Sequence, residues 1–416
     1  MGDPEILSSR GDMTADQLPD SLANTVAGAG SIVLVVMDGL GGLPHPDTGR
    51  TELESASTPN LDALAASGSL GMLDLVAPGI TPGSGPGHLS LFGYDPIESL
   101  IGRGVLSALG VGFELERGDI AARVNLATVS QDGTVTDRRA GRPSDAEGRR
   151  IVEAVQNSLR SPDSVEVTLL HEKEHRAVLI LRGDGLAGEL SDTDPQRTGL
   201  APHPVSALAT GSEATAEIVR GLLDQVGDIL ADEPGANQFL VRGFAQYDAY
   251  PSFEERYGLR AIALAKYPMY RGVARLVGMS VDGMPDTAAE TVSMLGDAYG
   301  AYDFYFVHFK DTDTRGHDGD FAGKVAAIEE IDGLLPGITV LDPDVLIVTG
   351  DHSTPATYGE HSWHSVPVVI HSRWARPTGG SFGETSCRLG DLGTFHGNDL
   401  MSLALAHARR LEKYGA

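Results

Sequence analysis

The sequence predicts an α/β fold: a largely parallel sheet flanked by helices, split by an inserted α+β domain. Apolar strands alternate with helical stretches towards both ends of the chain, a pattern typical of parallel sheets. Shorter, more alternating strands with hairpin turns occupy the middle. Acidic residues directly follow the apolar strands, and ligands bind at that edge of an open sheet.

The first part of the core begins after residues 1–30, which are polar and irregular and which we expect to form a partly ordered lead-in. The run SIVLVVMDGLGG predicts a buried strand over residues 32–37, ending at Asp38 and a glycine turn. The stretch TPNLDALAASGSLG predicts a helix with Thr58 as N-cap, Pro59 at its first position and Gly68 after its end.

The same pattern returns near the C-terminus. The runs YDFYFVHFKDTD and DVLIVTGDHS each predict a strand that ends in acidic residues, and residues 320–335 are helical in pattern. Between the two halves, GDIAARVNLATVSQDGTVTDRRAGR and VEVTLLHEKEHRAVLILRG predict hairpin strands, with a turn at Asp132-Gly133, beside an amphipathic helix over 146–159. We predict a core of residues 1–113 and 259–416 and an inserted cap domain of residues 114–258.

Composition excludes several classes of partner. The chain of 416 residues has 31 basic and 58 acidic residues and a net charge of −27, which disfavours nucleic acid and anionic membrane surfaces. Its single cysteine, Cys387, excludes an internal disulfide and suits a reducing compartment. No signal-peptide pattern opens the sequence and no apolar run is long enough for a membrane span, so we expect a cytoplasmic protein.

Acidic residues at strand ends indicate a metal site. Asp38, Asp311, Asp313 and Asp351 follow apolar runs, and neighbouring parallel strands bring such residues to one edge. Taken singly, each is an ordinary turn or cap residue. Several clustered carboxylates raise one another's pKa, and bound cations remove that conflict.

Histidines near these acids narrow the choice of metal. His317 follows Asp313 in DTDTRGHDGD, and GDHSTPATYGEHSWHS adds three more histidines: His352, His361 and His364. Mixed Asp/His sites suit Mn²⁺, Zn²⁺, Fe²⁺ or Co²⁺ better than Ca²⁺, which prefers oxygen ligands alone. On chemistry alone, either His361 or His364 serves as the third ligand beside Asp313 and His317.

The stretch PGSGPGHLSLFGYDP places Ser84 among glycines and prolines, just before an apolar run over 88–94 that predicts a short helix. A helix N-terminus offers free N–H groups and partial positive charge to a phosphate. The small residues Gly83, Gly85 and Gly87 allow a tetrahedral group to approach the backbone. A metal-bound serine hydroxyl has a lowered pKa and is a nucleophile, although glycine and serine also dominate ordinary turns.

Arginines supply local positive charge in this acidic protein. They occur in DRRAGR, EHRAVLILRG, FLVRG and YPMYRG, and guanidinium groups bind phosphate and carboxylate through two parallel hydrogen bonds. Most arginines are solvated surface residues, but Arg176 and Arg242 lie at or beside apolar strands. The candidate anion-binding arginines are Arg139, Arg142, Arg176, Arg242 and Arg271.

Several of these motifs together resemble the archaeal-type cofactor-independent phosphoglycerate mutases of the alkaline phosphatase superfamily. They are VLVVMDGLGG, TELESASTPNLDALAASG, PGSGPGHLSLFGYDP with IGRG, DTRGHDGD and GDHSTP with EHS. GDIAARVNLATV, DRRAGR and YPMYRGVARLVGM extend the resemblance over residues 31–405.

The resemblance implies an alkaline-phosphatase-like core, a two-metal site and a phosphoserine intermediate on Ser84. One metal would be held by Asp38, Ser84, Asp351 and His352, and the other by Asp313, His317 and His361. We expect Mn²⁺, with Zn²⁺, Co²⁺ or Mg²⁺ as alternatives, and no 2,3-bisphosphoglycerate. The resemblance matches Arg176 and Arg242 to family arginines that face the substrate. We predict Arg139, Arg142, Arg271, His88 and His364 as further substrate-binding residues.

The sequence also departs from the family pattern. Gly85 and Pro86 stand where archaeal members commonly carry an acid and a threonine, and His364 stands where relatives often have Asp or Asn. These changes bear on the substrate rather than the mechanism. We predict interconversion of 3-phosphoglycerate and 2-phosphoglycerate, a glycolytic isomerase reaction. The alternatives are a phosphatase or phosphonate-cleaving hydrolase on the same core, a related phospho-carboxylate mutase, and a catalytically silent binding protein.

Overall fold

The computed structural model describes residues 30–97, 102–248, 250–411 and 413. Contacts divide the chain into two compact units, a core unit of Met1–Leu100 with Pro251–Ala416 and an insert unit of Ile101–Tyr250. The domain limits predicted from the sequence, 113/114 and 258/259, stay predictions. No helix of the described residues is both long and apolar enough to cross a membrane.

The described part of the core unit contains a seven-stranded sheet in the order β12-β2-β11-β10-β1-β9-β8. Its strands are β1 (Ile32–Met37), β2 (Ser69–Asp74), β8 (Ala261–Leu264), β9 (Phe304–Phe309), β10 (Val345–Thr349), β11 (Val366–Ser372) and β12 (Gly393–His396). Neighbours are parallel except where β11 pairs with β10 and with β2. The predicted α/β class with a largely parallel sheet is confirmed.

Strand β1 lies near the centre of this sheet, with β10 on one side and β9 on the other, both parallel. All six of its residues are buried, which explains the uninterrupted apolar run IVLVVM, because helices cover both faces of such a sheet. The register pairs Met37 with Phe309 and Val36 with Thr349, so β1, β9 and β10 end together. The residues that follow these strands therefore share one edge.

Two of the helices that the sequence predicts for the core unit are present in the structure. The helix predicted after Thr58 forms with Pro59 first, although the Thr58 side chain makes no capping bond. The helix predicted over 320–335 extends to Thr339, beyond an internal proline, Pro336. The helices are α1 (Glu52–Ser55), α2 (Pro59–Ser67), α3 (Ser84–Leu91), α7 (Phe253–Tyr257), α8 (Pro268–Leu276), α9 (Ala288–Ala298), α10 (Asp311–His317), α11 (Phe321–Thr339), α12 (Glu384–Arg388) and α13 (Leu400–His407).

The described part of the insert unit contains a five-stranded antiparallel sheet around its long strand β3. Its strands are β3 (Ile120–Val129), β4 (Val135–Asp137), β5 (Glu166–Lys173), β6 (Arg176–Arg182) and β7 (Gln238–Gln246), and its helices are α4 (Arg103–Gly110), α5 (Asp145–Ser158) and α6 (Glu213–Ile229). The β3–β4 turn contains Gly133 at φ 84°, as the Asp132-Gly133 pair predicts. Alternate β3 residues such as Ala122 and Val124 join a core with residues of α5 and α6, such as Val152 and Val219.

Candidate functional site

Asp38 is the first residue after β1, and its side chain is fully buried. Its backbone N–H donates to the carbonyl of Phe309, which continues the ladder to β9. The chain then turns at Gly39, which has φ 64° and whose N–H donates to Asp351 Oδ1 at 3.1 Å. A Cβ at Gly39 would lie 2.6 Å from Thr354 Oγ1, so glycine is required there.

Asp351 and His352 occupy the equivalent place after β10, and both are fully buried. The His352 Nε2 atom lies 3.3 Å from Asp38 Oδ1 and 3.2 Å from Asp351 Oδ2. Ligand atoms of these three residues all lie within 4.8 Å of one another. Three of the predicted ligands, Asp38, Asp351 and His352, thus lie in one cluster at the strand ends.

A second group forms around Asp313, the third residue of α10. Ligand atoms of Asp313, His352 and His361 lie within 4.8 Å of one another, so His352 belongs to both groups. The Nε2 atoms of His361 and of His317 each lie 3.6 Å from Asp313 Oδ1. Asp311 is exposed on the same helix and stands outside both groups.

Hydrogen bonds fix the histidine tautomers. His361 and His317 use Nδ1 to donate to the carbonyls of Pro82 and Gly359, at 2.9 and 3.2 Å. His352 Nδ1 lies 2.9 Å from Thr354 Oγ1, and this hydroxyl in turn donates to Asp313 Oδ1. Each Nε2 is therefore directed at carboxylate oxygens, which is how outer partners orient metal-binding imidazoles.

The electrostatics favour ionised carboxylates. Burial opposes ionisation of Asp38, but the charge of Lys310 and the adjacent imidazoles of His308 and His352 hold its pKa well below the usual value. Burial and Asp38 also oppose ionisation of Asp351, yet His352 and His88 lower its pKa. Burial and the neighbouring His352 lower the pKa of His361, which keeps that ring neutral. Ionised carboxylates and a neutral imidazole are the forms that bind metals.

Ser84 is the first residue of α3 and is partly exposed. The short helix predicted over 88–94 therefore begins four residues earlier and ends at Leu91. The Ser84 Oγ lies 3.2 Å from His352 Nε2, beside both ligand groups. Gly87, on the same helix, packs tightly against the neighbouring loop, because a Cβ at this position would lie 2.1 Å from the carbonyl oxygen of Asp351. The glycine at position 87 therefore allows α3 to lie against the loop that carries Asp351.

Lys310 is a site residue that the sequence analysis missed. Its Nζ donates to Asp38 Oδ2 at 3.0 Å, to Asp313 Oδ2 at 2.6 Å and to the Tyr270 hydroxyl at 2.8 Å. The Tyr270 ring stacks on His308, whose Nε2 lies 3.2 Å from Asp38 Oδ2. Lys310 directly follows β9, and its position at the strand end was the available signal.

Lys324 was also missed, because a lysine within a helical pattern predicts a surface residue. It is fully buried on α11, and its Nζ donates to the carbonyls of Gly39, Gly41 and Thr354 at 2.8, 3.1 and 2.8 Å. One ammonium group therefore joins the loop after Asp38 to the loop after His352.

Three predicted substrate residues of the core unit lie in different surroundings. His88 is fully buried, and its Nδ1 lies 3.2 Å from Asp351 Oδ2. His364 is partly exposed and stacks on Trp363. Arg271 on α8 donates to the carbonyl of Gly283.

In the insert unit, four polar side chains share the sheet face opposite the core. Arg123 pairs with Arg242 across β3 and β7, and Asn125 pairs with Arg176 across β3 and β6. Residues two apart on a strand point the same way, as do directly paired residues, so all four lie on one face. Arg123 and Asn125 were missed, although their alternation with apolar residues on β3 was a signal.

This face, which we call the arginine face (Arg123, Asn125, Arg176 and Arg242), carries buried polar atoms without hydrogen bonds. Among the atoms of the described residues they include Arg123 Nε, Arg242 Nε and Asn125 Oδ1. Burial, together with the charges of Arg123 and Arg103, lowers the pKa of Arg242. An anionic ligand would accept from the two guanidinium nitrogens, and a ligand hydroxyl would donate to Asn125 Oδ1.

The remaining predicted arginines lie around His175, the residue before β6. Burial and the charges of Arg176, Arg139 and Arg142 lower the pKa of His175 to about 4. Arg139 and Arg142 are exposed, in a turn organised by Asp137, which accepts from the Arg139 N–H. The structure thus brings Arg139, Arg142 and Arg176 together.

The donor set of the core unit fits divalent metal ions. The buried oxygens Asp38 Oδ1 and Asp351 Oδ2 accept no hydrogen bond among the described residues. They face the oriented Nε2 atom of His352, and this mixture of carboxylate oxygen and imidazole nitrogen suits transition metals. Buried polar atoms without protein partners in a native structure point to a bound ion.

Comparison with known proteins gives one consistent result. A sequence profile of 2,3-bisphosphoglycerate-independent phosphoglycerate mutase matches residues 65–236. The chain is 48% identical over 389 residues to a protein of Thermus thermophilus, with 92% of this chain and 96% of the relative covered. It is 49% identical over 390 residues to a protein of Thermotoga neapolitana, with the same coverage of 92% and 96%. Both relatives are named probable 2,3-bisphosphoglycerate-independent phosphoglycerate mutases.

Solved structures have a similar fold, and one of them belongs to the same family. The cofactor-independent phosphoglycerate mutase of Thermoplasma acidophilum superposes with a TM-score of 0.69 at 30% identity, covering 91% of this chain and all of that one, 100%. A protein of Pyrococcus horikoshii superposes with a TM-score of 0.79 at 30% identity, covering 93% and 100%.

Proposed function

The chain belongs to the 2,3-bisphosphoglycerate-independent phosphoglycerate mutases, and we propose that it transfers the phosphoryl group through Ser84. As a mutase of this family, it interconverts 3-phosphoglycerate and 2-phosphoglycerate, a glycolytic isomerisation. The observation that carries the proposed route is the Ser84 hydroxyl at the start of α3, 3.2 Å from His352 Nε2 and beside both ligand groups.

The first metal would be held by Asp38, Ser84, Asp351 and His352, and the second by Asp313, His317 and His361. The two clusters of ligand atoms support this division, and the 3.6 Å approach of His317 to Asp313 supports adding His317 to the second. Bound divalent ions supply Lewis acidity, lowering the pKa of the serine hydroxyl and stabilising charge on the transferred phosphoryl group. We propose Mn²⁺ as the physiological ion, with Zn²⁺, Co²⁺ or Mg²⁺ as alternatives.

In the proposed reaction, the deprotonated Ser84 Oγ attacks phosphorus, and the bond from phosphorus to the C3 oxygen of the substrate breaks. That oxygen takes a proton, and glycerate turns so that its C2 hydroxyl faces the phosphoserine. The C2 oxygen then attacks phosphorus, loses its proton, and Ser84 is released. Lys310 holds the carboxylates of Asp38 and Asp313 in place throughout, which its two short ion pairs support.

We assign glycerate binding to the arginine face, with Arg139, Arg142, Arg271 and His364 as further substrate contacts. The buried, unpaired Arg242 Nε atom supports this assignment, because a carboxylate would satisfy it. For His88, full burial beside Asp351 favours positioning of that carboxylate over substrate contact. We place the enzyme in the cytoplasm, where a glycolytic substrate is available.

The test uses metal-loaded enzyme and 3-phosphoglycerate without added 2,3-bisphosphoglycerate, while 2-phosphoglycerate and free phosphate are measured together. We expect 2-phosphoglycerate with little free phosphate. Free phosphate as the main product would instead indicate the hydrolase alternative. Chelation should remove activity, and Mn²⁺, Co²⁺ or Zn²⁺ should restore it better than Ca²⁺. Full activity in protein shown by elemental analysis to be metal-free would contradict the two-metal site.

A further inference from the structure

A second concave surface lies at the other edge of the core-unit sheet. A cavity of about 1160 Å³ opens where β1 and β10 begin and where β11 and α13 end. Its volume slightly exceeds the usual range for small-molecule pockets, about 300–1000 Å³. Its polar and aromatic lining includes Asp342, His371, Arg373, Trp374, His407 and Arg409.

This cavity is separate from the phosphoryl-transfer site. Asp38 follows the last residue of β1, whereas Gly30, which lines the cavity, precedes the strand. A six-residue strand spans roughly 20 Å, so the two sites lie at opposite ends of the same strands. A ligand in the cavity does not touch Ser84 or the metal-binding residues.

Two arginines in the cavity are available to an anion. Among the described residues, Arg373 and Arg409 form no ion pair with a carboxylate. Their guanidinium carbons lie 5.3 and 5.5 Å from the centre of the Trp374 ring, which is 50% exposed. The chain has 58 acidic and 31 basic residues, so most arginines have an acidic side chain available to pair with. Two arginines in one cavity that form no ion pair with a carboxylate are therefore unusual in this protein.

Arg409 lies just after α13, at the position where a left-handed residue commonly ends a helix. It has φ 58°, a left-handed conformation that costs free energy for a residue with a Cβ. Its N–H donates to the carbonyl of Ala406, and the turn directs the side chain to Trp374.

The lining also contains two histidines and two aspartates, beside small and apolar residues. Burial lowers the pKa of both His371 and His407, so these imidazoles are neutral hydrogen-bonding groups. His407 Nδ1 lies 2.6 Å from Ser372 Oγ. Asp344 is engaged by the Ser31 N–H at 2.8 Å, whereas Asp342 is exposed at the rim. An acidic rim disfavours a bare polyanion and suits a ligand that also carries hydroxyl groups.

We propose that this cavity binds a nucleoside phosphate. The base stacks on Trp374 in place of the guanidinium groups of Arg373 and Arg409, which turn to bind the phosphate, and the ribose hydroxyls donate to Asp342. Guanidinium groups suit phosphate, and a half-exposed indole is a platform for any base. Carboxylates accept hydrogen bonds from ribose hydroxyls in other nucleotide sites. The proposal does not depend on the route of phosphoryl transfer.

The test uses tryptophan fluorescence, because the chain has only two tryptophans and Trp363→Phe leaves Trp374 as the sole reporter. Metal-loaded protein is titrated with adenosine monophosphate and, separately, with inorganic phosphate. We expect saturable quenching by the nucleotide, with a Kd at least tenfold below that of phosphate. Adding Arg373→Ala or Arg409→Ala should raise the nucleotide Kd at least tenfold.

Two further variants make the result specific. Arg376→Ala changes an exposed arginine near Arg373 that does not line the cavity, and it should leave the Kd unchanged. Ser84→Ala should also leave it unchanged, which separates this site from catalysis. Absence of quenching at about 1 mM nucleotide, quenching insensitive to both arginine variants, or phosphate binding as tight as nucleotide binding would overturn the proposal. Thermal melting confirms that each variant is folded.

Discussion

The core unit and the arginine face of the insert unit both contain buried charged groups whose bonding is incomplete, but of opposite sign. In the core unit they are carboxylate oxygens of Asp38 and Asp351, which face imidazole nitrogens. On the arginine face they include guanidinium nitrogens of Arg123 and Arg242. The carboxylates of the first set suit metal cations, and the guanidinium groups of the second suit an anionic substrate. One acidic chain therefore contains binding groups for both the metal ions and the substrate.

The two sets also arise differently along the chain. The acids of the core unit lie just after parallel strands, where the ends of β1, β9 and β10 coincide. The polar residues of the arginine face lie within strands and reach a common face through alternation and cross-strand pairing. Variants in the first set should therefore change metal content and turnover, and variants in the second should change substrate affinity alone.

The largest effect is expected for Ser84→Ala. Loss of the nucleophile should lower kcat by at least about 10³-fold and abolish covalent phosphorylation. The fold should stay intact, because Ser84 is a partly exposed residue at the start of a helix. Rate assays, and mass spectrometry of enzyme quenched with substrate, measure both effects. Ser90→Ala on the same helix is the control and should keep its activity. Wild-type rates in the Ser84 variant would show that another group attacks phosphorus.

The second prediction compares His361 and His364. His361 Nε2 lies 3.6 Å from Asp313 Oδ1, and its Nδ1 is engaged by Pro82, so His361→Ala should lose one of two metals and nearly all activity. His364 contacts Ser362 and Trp363, so His364→Ala should keep both metals and change KM. Metal content per chain and both kinetic constants distinguish them. If only the His364 variant lost metal, His364 rather than His361 would be the metal ligand.

The third prediction sharpens the contrast with the insert unit. Arg242→Ala should raise KM about 30–160-fold, because charge-assisted bonds contribute about 2–3 kcal/mol, and metal content should not change. Arg150→Ala is the matched control, since Arg150 is exposed and paired with Glu147 and Glu233. Steady-state kinetics and elemental analysis measure both quantities. An unchanged KM would remove Arg242 from substrate binding.

The smallest effect is expected for Lys324→Met. Loss of the three carbonyl contacts should loosen the loops after Asp38 and His352 and weaken metal binding about tenfold, as for other outer partners of metal sites. Metal titration monitored by calorimetry measures this affinity, and thermal melting separates it from unfolding. Lys173→Met, at an exposed lysine of β5, is the control. Unchanged metal affinity with a lowered melting temperature would assign Lys324 to stability alone.

The elements predicted from the sequence are those that depend on residues close together in the chain. The run IVLVVM specified β1, Pro59 the start of α2, and the apolar run after Ser84 a short helix. Acids after apolar runs located the carboxylates because strand ends have a fixed place in a parallel sheet.

The features that were not predicted depend on distant partners. The antiparallel direction of β11 was not predicted, because a buried strand is apolar in either direction. The burial of Lys324 depends on the carbonyls of Gly39, Gly41 and Thr354, which no local pattern reveals. Likewise, the position of Lys310 between two carboxylates follows from the fold rather than from its neighbours in sequence.

The central position of β1 has a consequence for the synthesis of the protein. Both its hydrogen-bonding edges are completed by strands from the last third of the chain, and Gly39 and Asp351 bond across 312 positions. At about 5–20 residues per second, a ribosome exposes this apolar strand for roughly 15–60 s before both partners exist. During that interval β1 is a segment for chaperones to shield from aggregation, and a chain cut short before β10 has no means of becoming an enzyme.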